Sequence, residues 1–271
     1  MADPVPSWPQ SLLFVGCGNM AGAMLDGWLA AGIDPSRFVV VDPGRKTVPP
    51  GVTLLDALPQ RQFDAILLGV KPQMLGDIAP RIALMTDEST AILSILAGVE
   101  LATLRSRFPE AGAVVRVMPN LAASLGKSPI ALAGEGLDEA GHSDIAAFMD
   151  LLGTAEWIGE DTFDLVTALA GSGPGFVYRF IDALASGAAS LGLDPAQAER
   201  LAVAMVEGAG ALAAGSPHSP GELASRVASP GGVTQVGLDV LDRDEALLRL
   251  IEATLRGARD RSAEMAAEAR G

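Results

Sequence analysis

Leu12-Leu13-Phe14-Val15-Gly16-Cys17-Gly18-Asn19-Met20-Ala21 is the stretch that decides the fold. Four apolar residues in a row suit a strand covered on both faces, and the Gly-x-Gly-x-x-Ala that follows has the spacing of a dinucleotide-binding turn. In that reading Gly16 permits the tight turn, Gly18 lets a pyrophosphate approach the main chain, and Ala21 keeps the helix close to the strand. The unpaired N–H groups and positive dipole end of the helix opening at Asn19 and Met20 then face the phosphates. Two glycines this close also occur in ordinary turns, so the surrounding sequence has to carry the reading.

It does so in order. Met24, Leu25, Trp28 and Leu29 recur at helical spacing up to a stop at Gly32. Phe38-Val39-Val40-Val41 is a second buried strand. It ends in Asp42, 21 residues after Ala21, where a carboxylate accepts ribose hydroxyls. Val52 to Leu55 reads as a short third strand and Asp64 to Val70 as a clearer fourth. Lys71-Pro72-Gln73 and a helix from Met74 to Met85 come next, with Leu75, Ile78, Ile82 and Leu84 toward a core; Pro72 stops the strand and opens the helix. The unit repeats as Ala91 to Ile95, the turn Ala97-Gly98 and a helix from Glu100 to Phe108. Ala113 to Val117 then runs into Met118-Pro119-Asn120. Such alternation implies parallel strands joined by right-handed crossovers, with ligands beyond the carboxyl ends of the strands. One rim thus collects the Gly16 turn, Asp42, Val70-Lys71, Ala97-Gly98 and Pro119-Asn120.

Ser128 to Ala133 and Ala155 to Ile158 read as additional strands flanking a helix from Leu137 to Leu152. After Gly159 the chain turns Ala- and Leu-rich, with helical periodicity and no strand pattern. The expectation is an α/β protein: a Rossmann-type parallel sheet over residues 1–159 and an all-helical part over 160–271. Two stretches in the helical part break helix: Gly171-Ser172-Gly173-Pro174-Gly175 and Ala228-Ser229-Pro230-Gly231-Gly232-Val233-Thr234. Each is either a plain helix-to-helix turn or a helix start offering main-chain N–H groups.

Composition narrows the classes. A chain of 271 residues buries a sizeable core, and its 49% hydrophobic residues lie in runs too short to span a bilayer. Met1 to Gln10 is proline-rich, without the basic-then-apolar form of an export signal, and the single Cys17 fits a reducing compartment; the expected location is the cytoplasm. With only His142 and His218 beside that cysteine, a metal site has little material. A net charge of −14 argues against a nucleic-acid surface but not against an anionic small ligand held by backbone N–H groups.

Phe14-Val15-Gly16-Cys17-Gly18-Asn19-Met20-Ala21, Val70-Lys71-Pro72-Gln73, Ala97-Gly98-Val99, Val115-Arg116-Val117-Met118-Pro119-Asn120, Gly171-Ser172-Gly173-Pro174 and Ser229-Pro230-Gly231-Gly232-Val233-Thr234, taken together, resemble the pyrroline-5-carboxylate reductase family. The matches run in family order over nearly the whole chain. The resemblance implies reduction of 1-pyrroline-5-carboxylate to L-proline by NADPH or NADH, with residues 160–271 binding substrate and forming a homodimer that assembles into decamers. It implies Thr234 as the catalytic residue, Val227, Ser229, Gly231, Gly232 and Val233 around the substrate, and Gly16, Gly18, Asn19, Met20, Val70, Lys71, Ala97 and Asn120 along the cofactor.

The chemistry agrees with those residue types. A protonated cyclic imine accepts hydride at its ring carbon, so the reaction needs positioning and charge placement more than a nucleophile. The Gly231-Gly232-Val233 turn offers backbone donors to the substrate carboxylate, and Thr234 a hydroxyl near the ring nitrogen. Asp42 favours a free ribose hydroxyl, whereas Arg45 and Lys46 suit a 2′-phosphate. Cys17 reads as a small apolar filler. The segment from Asp244 to Ala267 reads as a helix whose Leu247, Leu248, Leu250, Ile251 and Leu255 suit subunit packing. Ala224, Ser225 and Arg226 depart from the Lys-Asp common in the family after Pro-Gly-x-Leu. That leaves two other readings: a reductase for another cyclic imine or small carbonyl acid, and a non-catalytic dinucleotide-sensing oligomer.

Overall fold

The computed structural model describes residues 6–270; of the proline-rich N-terminus, residues 1–5 lie outside them. Eight strands form one sheet in the order β3-β2-β1-β4-β5-β6-β7-β8. They are β1 (Leu12–Val15), β2 (Phe38–Val41), β3 (Thr53–Leu55), β4 (Ala65–Leu68), β5 (Ala91–Ser94), β6 (Ala113–Met118), β7 (Ser128–Glu135) and β8 (Gly153–Trp157). From β3 through β6 all neighbours are parallel, and the chain reverses direction from β1 outward on either side, which makes the crevice between β1 and β4 the switch point.

The parallel run expected from the alternation breaks once. β7 lies antiparallel to β6, with Met118 opposite Ala131, while β8 is parallel to β7. Only the short helical turn Leu121–Leu125 lies between β6 and β7, too little chain for a parallel crossover. Helix α4 (Glu139–Asp150) supplies the crossover between β7 and β8, its start capped by the Asp138 carboxylate accepting from Gly141 N–H.

Burial on both sheet faces follows from the strand period of two. Leu12 and Phe14 point to one side, where α1 (Asn19–Ala30) and α4 bring Trp28 and Phe148 together with Phe38. Trp28 stacks on Phe148 at 4.4 Å between centroids and donates its indole N–H to the Phe148 carbonyl at 3.0 Å. Leu13 and Val15 point to the other side, against α2 (Leu75–Ala83) and α3 (Leu101–Arg107). Leu84, expected in that core, is 88% exposed: α2 ends at Ala83, the chain turns, and Met85 takes the buried place.

Beyond β8 the chain is helical: α5 (Phe163–Val166), a wider helical turn over Thr167–Gly171, α6 (Gly173–Ser190), α7 (Pro195–Ala214), α8 (Pro220–Val227), α9 (Val233–Asp242) and α10 (Ala246–Arg270). The break expected over Gly171 to Gly175 is shorter than that. Gly173, Pro174 and Gly175 form the first turn of α6, where proline's missing N–H costs nothing. The end of α9 is sharper, with Asp244 and Glu245 both in the left-handed region.

The compact units do not divide at Gly159. One comprises residues 1–172 and 257–271, the other 173–256. Residues after Gly159 stay with the sheet because Phe163, 1% exposed, completes its core, and because Glu160 pairs with the buried Arg116 at 2.9 Å. The last turns of α10 belong there too: Ala266 is buried and Ser262 Oγ donates to Asp164 at 2.8 Å. In the 173–256 unit, Ala198 and Ala202 alone are buried among the described residues, while Tyr178, Leu201, Leu212 and Leu250 are exposed. Helices this apolar without a core of their own need a covering surface.

Candidate active site

The β1–α1 turn is built as a cradle. Gly16 has φ +85°, and a Cβ there would lie 2.8 Å from both the Gly69 carbonyl carbon and the Val70 nitrogen, so neither a side chain nor another backbone fits. Its N–H donates to Val41 and Gly69 N–H to Val15, locking the turn between β2 and β4. At Gly18 a Cβ would meet nothing within 4 Å, so the space in front of α1 is open. No side chain caps α1 and its first turn holds no acid, which leaves the N–H groups of that turn for an incoming anion. Asn19 is exposed, Met20 half-buried and Ala21 buried against the sheet.

The end of β2 folds over this cradle. Asp42 accepts from Cys17 N–H at 2.8 Å through one oxygen and from Gly44 N–H at 2.9 Å through the other. Arg45 swings back and donates through Nη1 to the Cys17 carbonyl at 2.8 Å and to Cys17 Sγ, and through Nε to the Thr47 carbonyl at 3.1 Å. Lys46 is exposed. Cys17 itself is buried, and burial raises its thiol pKa against the opposing pull of Arg45, so it stands as a neutral thiol. A cleft of about 590 Å³ runs over these residues and is lined as well by Leu121 and Ser124 from the turn after β6. Sequence reading missed Gly22, Leu121 and Ser124. Gly22 carries a signal in retrospect, because glycine one turn into an otherwise Ala-rich helix marks a close approach.

Farther along the same rim, Val70 and Ala97 are half-buried and Lys71 is exposed at the carboxyl ends of β4 and β5. Asn120 is different. Its side chain donates to the Ala170 carbonyl at 2.9 Å and accepts from Ala122 N–H at 2.9 Å, and its N–H donates to Ser128 Oγ. Expected as a cofactor contact, it is 4% exposed and serves as the cap of the Leu121–Leu125 turn. Pro119 is likewise buried.

The helical unit carries the other set. Ser219 and Glu222 form a reciprocal cap that starts α8, and hydrogen bonds from Ser219 hold the Glu222 carboxyl below its usual range. Val227 ends α8 exposed. The chain then turns through Gly231 at φ +70°, Gly232 N–H donates to the Ser229 carbonyl at 2.9 Å, and α9 begins at Val233. A side chain at Gly232 would collide with Ser229. Like α1, α9 has no side-chain cap and no acid in its first turn, so the N–H groups of Val233 and Thr234 are open donors. Thr234 is exposed on that turn. Ala224 and Ser225 lie inside α8, where Ser225 Oγ donates to the Gly221 carbonyl at 3.0 Å, and Arg226 is exposed in its last turn. Among the described residues no cluster of three His, Cys, Asp or Glu side chains is placed to hold a metal ion, and no helix is long and apolar enough to cross a membrane.

Known proteins match both halves. The pyrroline-5-carboxylate reductase dimerisation model matches residues 160–265, and a model described as NADP oxidoreductase coenzyme F420-dependent matches residues 11–98. A pyrroline-5-carboxylate reductase from Methanosarcina acetivorans is 33% identical, with 94% of this chain and 98% of that one covered. The solved pyrroline-5-carboxylate reductase of Coxiella burnetii superposes with a TM-score of 0.86 at 28% identity over 94% of this chain and 98% of that one. The pyrroline carboxylate reductase of Plasmodium falciparum, solved with NADP bound, has the same fold at a TM-score of 0.80 and 23% identity, covering 95% and 98%. On this evidence the chain belongs to the pyrroline-5-carboxylate reductase family, NAD(P)-dependent oxidoreductases that carry out the final step of proline biosynthesis.

Proposed function

We propose that this chain reduces 1-pyrroline-5-carboxylate to L-proline with NADPH as hydride donor, and that Thr234 is its catalytic residue. The observation that carries the site assignment is the uncapped, acid-free start of α9 with Thr234 on its first turn. Its N–H groups take the substrate carboxylate, with Val227 and Ser229 beside it, and the Thr234 hydroxyl hydrogen-bonds the ring nitrogen. Bound NADPH supplies the hydride that goes to the imine carbon; the nitrogen carries the proton, so the C=N bond becomes an amine. The chain's own work is to hold the two reactants and to stabilise the charge on nitrogen.

The β1–α1 cradle suits a dinucleotide: Gly16, Gly18, Asn19 and Met20 take the pyrophosphate, and Val70, Lys71 and Ala97 follow it along the rim. Two features favour NADPH. Both Asp42 oxygens already accept main-chain N–H groups, and the Arg45 guanidinium lies over the first turn of α1, near enough that a Cβ on Gly22 would sit 3.3 Å from its Nη1. The 2′-phosphate therefore falls to Arg45, with Lys46 as a second, exposed cation. NADP in the related Plasmodium falciparum structure supports the same reading.

In this proposal residues 160–271, whose first and last turns pack with the sheet, bind substrate and dimerise, working as a cytoplasmic homodimer with the decamer as the next assembly; the uncovered apolar side chains of α6, α7 and α10 support self-association. The test is oxidation of NADPH and NADH, followed by nicotinamide absorbance, with 1-pyrroline-5-carboxylate and its six-membered analogue. Turnover of the five-membered imine with NADPH preferred is the expected result. Turnover only of the six-membered imine would overturn the substrate and point to Ala224, Ser225 and Arg226. NADPH binding without turnover of either would overturn the enzyme reading.

A further inference from the structure

We infer that Cys17 is a positioning residue for the 2′-phosphate of NADPH: its carbonyl and thiol hold one end of the Arg45 guanidinium and thereby present the other end to the groove. The inference rests on the proposed NADPH preference and adds a residue that acts through Arg45, with its side chain buried beside the glycine turn.

A guanidinium has five N–H groups in a rigid plane. Both Nη1 hydrogens are taken by Cys17, at the carbonyl (2.8 Å) and at Sγ, and the Nε hydrogen by the Thr47 carbonyl at 3.1 Å. Two hydrogens remain, both on Nη2, without an acceptor among the described residues. Two hydrogens on one nitrogen suit an oxyanion. Cys17 is in turn fixed from its other side, because its N–H donates to Asp42, whose second oxygen holds Gly44 N–H next to Arg45. One carboxylate thus ties down both the pivot and the segment that carries the arginine. The guanidinium is ordered before cofactor arrives, which reduces the freedom lost on binding.

The carbonyl contact survives any side-chain change at residue 17, so Cys17→Ala isolates the thiol. NADPH and NADH dissociation constants, KM and kcat are measured for the full chain and for Cys17→Ala, Cys17→Ser, Arg45→Ala and the Cys17→Ala/Arg45→Ala double variant, with thermal midpoints as the check on folding. Losing one weak acceptor to a charged donor predicts an NADPH KM higher by about 3- to 10-fold in Cys17→Ala. The NADH KM and kcat at saturating NADPH should stay within about twofold, and Cys17→Ser, which keeps an acceptor, should recover part of the loss. In the Arg45→Ala background the Cys17 substitution should have no further effect. Equal weakening of both cofactors, or a loss that persists without Arg45, would overturn the inference and make Cys17 a packing residue of the turn. An Arg45→Ala variant with an unchanged NADPH to NADH ratio would remove the NADPH reading itself. Should Cys17→Ala fail to fold, Cys17→Ser carries the same comparison.

Discussion

Gly16 and Gly18 sit two residues apart in one turn and should respond in opposite ways to the same methyl group. In Gly16→Ala the new Cβ would stand 2.8 Å from two main-chain atoms at Gly69-Val70, and φ is +85°. The left-handed conformation costs about 1–2 kcal/mol for a non-glycine residue, and displacing the backbone just beyond β4 adds strain of at least the same size. The sum is about 3 kcal/mol, or roughly 6–12 °C in thermal midpoint for a chain of this length. In Gly18→Ala the Cβ meets nothing within 4 Å and φ is −72°, so the fold should keep its midpoint within about 2 °C. That methyl instead occupies the approach to the open N–H groups of α1. Losing one charge-assisted hydrogen bond there costs about 1.5–3 kcal/mol, which is on the order of 10- to 100-fold in the dissociation constant for NADPH. Thermal unfolding at fixed protein concentration and titration of NADPH by its fluorescence separate the two effects. A Gly18→Ala variant that binds NADPH as tightly as the parent would refute the cradle, because the open space would then not be where the pyrophosphate lies.

Other perturbations address different links. Thr234→Ala should lower kcat on the order of 10²-fold while the NADPH dissociation constant is unchanged, measured by steady-state kinetics beside direct titration. Trp28→Ala removes a fully buried ring stacked on Phe148 and its hydrogen bond to the Phe148 carbonyl, so denaturant unfolding should show a loss of about 3–5 kcal/mol. The Ser219–Glu222 cap has a carboxyl lowered from its ordinary 4.5 by hydrogen bonds from Ser219. A lowered native pKa contributes stability above the unfolded value and loses it as pH falls through the native one, so the gap in thermal midpoint between the parent and Ser219→Ala should be present at neutral pH and shrink below pH 4.5.

Local sequence was enough for the elements and for the chemistry of each turn. Apolar runs such as Leu12 to Val15 and Phe38 to Val41 mark strands covered on both sides, because they are short, rich in aromatic and β-branched residues and closed by Gly16 or Pro43 turns. Glycine and proline at Gly16, Pro72 and Gly231 mark turns because few other residues adopt or favour those backbone angles, and an anion-binding helix start follows from such a turn wherever it lies in the fold. None of this depends on a distant neighbour.

What needed the tertiary structure are properties that pairs of distant residues share. The apolar pattern of Ser128–Glu135 suits either strand direction, and only the short link from β6 sets it antiparallel. Phe163 reads as helix but fills the sheet's core, and Ala266 joins the same unit from the far end of the chain, so the compact units divide elsewhere than the change in composition. Asn120 is a good ligand by residue type, yet Ala170 and Ala122 have taken its amide. Arg45 looks like a free surface cation beside Asp42, and its fold-back onto Cys17 exists only because β1 and β2 are neighbours in register. Spacing and residue type act through the local backbone, so the sequence by itself carried the strands, the turns and the family. Burial and hydrogen-bond partners depend on which segments meet, and those only the folded chain decided.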